Sequence, residues 1–267
     1  MSALTEDTEI LTPYNLGGLS VRSVVEESEY FNLLIYGESS VGKSTLAGSS
    51  VEVPEMRPVI FLDIEGGTLS LRDRYPEVEK VRIDNWNDLV GVYVDLKENP
   101  GRYKTVVLDS ISELEEFGME EIMHRAVSKA ESEGDERDPD LPGIGEHGKS
   151  SNRMRKVIRR FRDLEMNTIF TALERVDIDK KNRRTIRPRL SPKLSSQVSG
   201  FLDVVLYMYK KDTEEEIKRV VLCDSTDEVI AKDRTNRLPQ TIVEPTMAMI
   251  YDLAMRSDNA MRGDSNE

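Results

Sequence analysis

The stretch Phe31-Asn32-Leu33-Leu34-Ile35-Tyr36-Gly37-Glu38-Ser39-Ser40-Val41-Gly42-Lys43-Ser44-Thr45 decides the fold. Its apolar half reads as a buried strand, its second half is a complete phosphate-binding P-loop, and Thr45, Leu46 and Ala47 open a helix-compatible stretch. The chemistry demands that order. Glycines let the backbone approach phosphates, successive N–H groups and the helix start supply positive potential, Lys43 reaches the β- and γ-phosphates, and the Ser44 hydroxyl ligates Mg2+. Gly37, Glu38, Ser39, Ser40, Val41, Gly42, Lys43, Ser44 and Thr45 are therefore the expected nucleotide contacts.

Beyond the P-loop, strand-like and helix-like runs alternate. Residues 58–63 read as a second buried strand, Val78, Val81 and Ile83 as a short third, and residues 105–109 as a fourth. Trp86, Leu89, Val90, Tyr93, Val94 and Leu96 recur at helical spacing up to Asn99-Pro100-Gly101. A breaker-rich stretch, with Gly134, Pro139, Pro142, Gly143, Gly145 and Gly148, reads as a loop near the nucleotide. Met154, Val157, Ile158, Phe161 and Leu164 then form the apolar stripe of an amphipathic helix whose Arg and Lys residues face the other way. Residues 168–172 form a fifth strand, 175–200 are polar and basic, and 204–209, 220–223 and 228–231 read as strands of an antiparallel C-terminal extension. The expected fold is α/β, a largely parallel sheet with helices on both faces. The expected organisation is an N-terminal tail over 1–28, a core over 29–256 and a disordered tail over 257–267.

Two acidic strand ends carry the expected chemistry. Asp109 closes the run Val106-Val107-Leu108 ahead of Ser110, where a carboxylate at the sheet's C-terminal edge holds Mg2+ through water. Asp63 and Glu65 end the second strand in Leu62-Asp63-Ile64-Glu65-Gly66-Gly67. Glu65 is placed to polarise an attacking water, with Asp63 as the fallback. This favours hydrolysis over a kinase. A GTPase is disfavoured, since no Asn-Lys-x-Asp motif occurs and Lys181-Asn182-Arg183-Arg184 lacks the carboxylate that reads guanine.

The chain has 267 residues, a net charge of -13, 38% hydrophobic content and one cysteine, Cys223. No apolar run approaches the roughly 20 residues of a membrane span, and mean hydropathy is -0.48. The start, Met1-Ser2-Ala3-Leu4-Thr5-Glu6, lacks the basic and apolar regions of a signal peptide, so a cytoplasmic location is expected. Two histidines and one cysteine make no metal site of recognisable spacing, leaving Mg2+ as the expected metal and ATP as the nucleotide. A negative chain does not attract nucleic acid over its whole surface, but Lys180, Lys181, Arg183, Arg184 and Arg187 cluster in one segment that can track phosphates. That segment has no aromatic residue for base stacking.

The order of motifs resembles the RecA-like recombinase ATPases, and more closely the core-only RecA-like proteins of bacteriophages implicated in single-strand annealing. The likeness rests on the P-loop at 37–45, Asp63-Ile64-Glu65, Leu108-Asp109-Ser110, Pro139-Asp140-Leu141-Pro142, and His147-Gly148-Lys149-Ser150 before the arginine-rich helix. It implies an ATPase acting on single-stranded DNA, with Glu65 as catalytic base, and assembly into a ring or filament with ATP between subunits. Lys232 and Arg234, in Ala231-Lys232-Asp233-Arg234, resemble the basic pair that relatives insert into a neighbour's site. The family's two DNA loops fall near 134–152 and 175–200. A host-cell cytoplasmic location follows if the chain is phage-encoded. Where relatives carry Gln or His as a γ-phosphate sensor, this chain has Leu173, which cannot hydrogen-bond phosphate. That departure leaves Glu174 or Thr171 as substitutes. It also keeps a second class in view, a non-catalytic scaffold that uses ATP to order an oligomer and recruits partners such as a single-strand-binding protein.

Overall fold

The computed structural model describes residues 15–17, 19–20, 30–213 and 216–256. Most of the expected tail over 1–28 and all of 257–267 lie outside the described residues. Residues 1–30 and 31–267 form two units. In the first, β1 (Asn15–Leu16) and β2 (Leu19–Ser20) pair antiparallel across Gly17, whose φ of +61° suits a residue without a side chain.

The second unit is built on one ten-stranded sheet. Six strands, β3 (Asn32–Gly37), β4 (Val59–Asp63), β5 (Glu79–Arg82), β6 (Thr105–Asp109), β7 (Asn167–Ile178) and β9 (Val204–Asp212), run parallel in the order β9-β3-β7-β6-β4-β5. The mainly parallel sheet agrees with the expected fold class. β3, β4 and β6 are buried along their whole length, which is why they read as unbroken apolar runs. Between strands lie α1 (Lys43–Gly48), α2 (Trp86–Glu98), α3 (Ile111–Glu133) and α4 (Ile144–Arg162). One face of the sheet packs Leu34, Leu62, Leu108 and Phe170 against Met154, Ile158 and Phe161 of α4; the other packs Leu33, Phe61 and Ile169 with Leu46 and Ala47 of α1.

Four expectations need correction. The 204–209 strand is expected in an antiparallel extension, but β9 pairs parallel with β3, Leu33 opposite Val204, and only its other edge meets antiparallel β10 (Ile217–Leu222). Its apolar run belongs to the core because β3 needs a partner on each side. Residues 228–231 form an isolated bridge, Ile186 with Val229, followed by β11 (Lys232–Asp233) on β9. The basic stretch 175–200 is also not a loop. β7 continues to Ile178 and turns into β8 (Arg184–Pro188), then α5 (Pro192–Gln197). Its pattern hid the strands because charge and apolarity do not sort cleanly by face: Asp177 pairs with Arg175 at 2.8 Å and Arg187 at 2.9 Å on one face, while the other carries exposed Val176 and Ile178 beside buried Ile186. Likewise, the glycine-rich loop ends at Gly143. Glu146 caps α4 by accepting from the Gly143 N–H at 3.1 Å, which outweighs the poor helix propensity of Gly145 and Gly148. The short β12 (Thr241–Val243) beside β10 and the closing helix α6 (Met247–Met255) are not among the expected elements.

Asn167 ties three strands together at the sheet's entry edge. Its Oδ1 accepts from the buried Phe31 N–H at 2.9 Å and its Nδ2 donates to the Lys104 carbonyl at 3.0 Å. Asn167→Ala strands the buried Phe31 N–H, and we expect a loss of about 1–3 kcal/mol in urea unfolding. Nucleotide affinity should be unchanged, because the active edge is at the other end of the strands.

Candidate active site

Parallel pairing brings the acting strand ends to one edge. Gly37 lies opposite Leu173, Asp63 opposite Asp109, and Leu108 opposite Phe170, so Asp109 is level with Thr171 and, through β7, with Ile35. The Asp109 carboxylate is thus recessed two residues, about 6–7 Å along the strands, beneath the start of the P-loop.

The loop's glycines are sterically required. A Cβ on Gly37 would come 2.1 Å from the Met208 carbonyl oxygen of β9, and Gly42 adopts φ +114°. Lys43 is buried and its Nζ donates to the carbonyls of Gly37 at 3.1 Å and Glu38 at 2.7 Å. Burial lowers the Lys43 pKa, against the opposing fields of Glu65, Asp109 and Glu174. Glu38, Ser39 and Ser40 are exposed, and Ser44 and Thr45 are half-buried at the start of α1.

The second strand end is clamped to the third. Both Ile64 and Glu65 donate their N–H groups to the Asp109 carbonyl, at 2.9 and 3.1 Å, and the Gly66 N–H returns to Asp63 Oδ1 at 2.8 Å. Asp63 is consumed by this turn: it also accepts from Thr68 Oγ1 at 3.0 Å and faces Lys80 and Arg82. It is therefore no longer a fallback base. Glu65 is the carboxylate that faces the site, and it feels Asp109, Lys43 and Ser110. Burial first, then the Asp109 and Glu113 carboxylates, raises its pKa; Lys43 and a hydrogen bond with Ser110 pull the other way.

Asp109 is fully buried. Its Oδ1 accepts from the Thr171 hydroxyl, and its Oδ2 is buried without a hydrogen-bond partner. The helix α3 is capped by Ser110, whose Oγ accepts from the Glu113 N–H, so Asp109 is not needed as a cap. An orphaned carboxylate oxygen beside a lysine-bearing phosphate loop fits a hydrated divalent cation, which Ser44 and Asp109 would hold.

At the sensor position, Leu173 donates its N–H to Ser112 Oγ at 3.0 Å and presents no polar side-chain atom. Of the two substitutes, Thr171 is engaged by Asp109. Glu174 sits beside the Tyr207 phenol, keeps a buried oxygen without a hydrogen-bond partner, and acts electrostatically on Lys43.

The remaining expected residues stand apart. Lys232 is level with Val205 and hence Leu34, three residues short of Gly37, and its ammonium donates to the Ser199 carbonyl at 2.6 Å and the Leu202 carbonyl at 2.9 Å. Arg234 pairs with Asp203 at 2.6 Å. Neither joins the chain's own P-loop. Lys180, Lys181, Arg183 and Arg184 are exposed at the β7–β8 turn, with Arg183 held by Asp179 at 2.7 Å; Arg187 is half-buried against Asp177. A residue not anticipated is Arg219 of β10, whose Nε donates to the Val41 carbonyl at 3.2 Å and whose side chain lies against Gly42. At a sequence separation of 178, no linear pattern links Arg219 to the loop.

A carboxyl whose folded-state pKa is raised helps the fold while protonated, and that contribution is lost as pH rises through the folded value. Glu65→Gln should therefore raise Tm at about pH 7–8, with the difference from the parent vanishing below about pH 4. A lower Tm for the variant at about pH 8 would mean that Glu65 is held by net favourable pairing.

The sequence matches the family model described as AAA domain over residues 29–235. No curated protein matches. Among solved structures, the flagellar accessory protein FlaH from Methanocaldococcus jannaschii is similar at 11% identity, covering 80% of this chain and 84% of that chain, with a TM-score of 0.41. A KaiC-like protein from Pyrococcus horikoshii OT3 is similar at 16% identity, covering 73% and 78%, with a TM-score of 0.37. The family match spans the P-loop, both acidic strand ends and the basic hairpin, and the chain belongs to the AAA domain family of P-loop nucleotide-binding proteins.

Proposed function

We propose that this chain is a Mg2+-dependent ATPase acting on single-stranded DNA in recombination, annealing or repair, of the kind its motifs share with core-only RecA-like phage proteins. The observation that carries the hydrolytic part is the clamp of Ile64 and Glu65 onto the Asp109 carbonyl, which brings a base candidate, a metal-binding carboxylate and Lys43 into one electrostatic unit. Residues 37–45 cradle the phosphates, and Lys43 leaves its carbonyl partners to bind phosphate oxygens. Glu65 accepts the proton of the attacking water, so that hydroxide adds to phosphorus as the bond to the ADP oxygen breaks. Mg2+, when bound through Ser44 and Asp109, neutralises phosphate charge.

Lys232 and Arg234 are assigned to a neighbouring subunit's ATP, as trans-acting groups in a homo-oligomeric ring or filament. Their position away from the chain's own P-loop supports this reading, and it requires Lys232 to exchange two carbonyls for phosphate. The DNA contacts are assigned to Lys180, Lys181, Arg183, Arg184 and Arg187. The first three and Arg184 are exposed at the hairpin tip, and β7 connects that tip to Thr171. A cytoplasmic setting follows from this substrate; among the described residues no helix is long and apolar enough to cross a membrane. A second reading, an ATP-ordered scaffold recruiting a single-strand-binding protein, is favoured by one observation: apolar Leu173 faces Gly37 where a polar sensor would be needed.

Steady-state ATP hydrolysis with and without oligo-dT separates them. Lys43→Ala should remove nucleotide binding under both. Glu65→Gln should keep ATP affinity and lower kcat by about 10²–10⁴-fold if the protein hydrolyses ATP. Measurable ATP binding with no turnover, or turnover indifferent to oligo-dT, would favour the scaffold. Replacing Lys180, Lys181 and Arg184 together by Ala should weaken oligo-dT binding and flatten its log–log salt slope by about 2. An unchanged slope would move the DNA elsewhere.

A further inference from the structure

We infer that the cleft between α2 and α4 is a docking site for an acidic peptide segment of another protein that carries a bulky apolar side chain. The cleft encloses about 450 Å³. Its floor is Leu89, Tyr93, Val157 and Phe161, and its outer wall includes Val90, 46% exposed on the surface of α2. A hole of this size with an aliphatic and aromatic floor holds one or two large side chains. The two helices touch at its base, where the rings of Tyr93 and Phe161 lie 5.4 Å apart.

The rim is positively charged. Lys149, Lys156 and Arg160 follow one another along α4 at spacings of seven and four residues, and so form a single ridge on the cleft side. Lys149 reaches Glu146 at 3.6 Å. Among the described residues, Lys156 and Arg160 have no carboxylate within 4.0 Å, although both are exposed and the chain carries 50 acidic residues. Two unpaired cations beside an apolar hole complement carboxylates flanking an apolar anchor.

The aromatic residues argue for peptide over nucleic acid. Base stacking needs a free ring face. The ring of Trp86 packs against Gly118 and lies under the Arg153 guanidinium, 4.7 Å from its centroid, while Arg153 itself is held by Glu121 and the Gly118 carbonyl. Tyr93 and Phe161 are turned against each other. What remains open is chiefly Val90, 46% exposed, above Leu89 and Phe161 at 1% each, an aliphatic lip that suits a Phe, Leu or Ile side chain.

The site contains the chain's single tryptophan, so it carries its own reporter. The test titrates the full chain with a fluorescein-labelled twelve-residue Asp/Ser peptide with Phe-Leu at its centre, reading peptide anisotropy and Trp86 emission. Saturable binding is expected, at least tenfold weaker for the same peptide with Ser-Ser in place of Phe-Leu. Lys156→Glu with Arg160→Glu should weaken it at least tenfold, as should Val90→Glu, with ATP binding and circular dichroism unchanged. No saturable binding, equal binding to the charge-reversed protein, or displacement by oligo-dT at low salt would overturn the proposal. So would peptide binding seen only after removal of the acidic residues Glu6, Asp7 and Glu9 by substitution to Ser, which would assign the cleft to the chain's own N-terminal segment.

Discussion

The parallel pairing of β3, β7, β6 and β4 is the constraint on which the rest depends. In a parallel sheet every strand exits on the same edge, so four crossovers deliver the P-loop, Leu173, Asp109 and Glu65 to one rim without any of them being near another in sequence. Interposing β7 between the P-loop strand and the Asp109 strand sets the spacing. It recesses Asp109 and puts Thr171 where its hydroxyl holds one carboxylate oxygen while the other is left without a hydrogen-bond partner.

That arrangement concentrates charge where the fold alone would avoid it. Asp109 is buried, Glu65 is pushed toward its neutral form, and Lys43 is desolvated while satisfying two backbone carbonyls. Each is unfavourable in isolation and becomes useful when polyphosphate and a cation enter. Asp63 plays the opposite part. Its carboxylate is used up by Gly66, Thr68 and Lys80, and the resulting turn fixes the backbone on which Glu65 stands.

The sequence was most legible where burial is total. The continuous apolar runs of β3, β4 and β6 and the glycine spacing at 37–42 have one structural solution each, and both acidic strand ends could be read from them. Legibility failed where local pattern and tertiary context part. β9 looks the same on paper whether its partner is parallel or antiparallel. The β7–β8 hairpin reads as a polar loop because one face is ion-paired, Asp177 with Arg175 and Arg187, and the other mixes buried Ile186 with exposed Val176 and Ile178. The start of α4 hides behind Gly145 and Gly148, and its cap depends on one glutamate, Glu146, meeting Gly143. Arg219 reaches the P-loop only because β10 lies beside β9, a contact that no short-range rule encodes.

We propose that the P-loop, Glu65 and Asp109 act as one hydrolytic site. A crystal structure with Mg2+ and a non-hydrolysable ATP analogue tests it directly. The expected result is Lys43 on the terminal phosphates, the cation on Ser44 with Asp109 behind a water, and the Glu65 carboxylate turned to the γ-phosphate. A nucleotide bound elsewhere, or Lys43 still on the Gly37 and Glu38 carbonyls with Glu65 turned away, would contradict it.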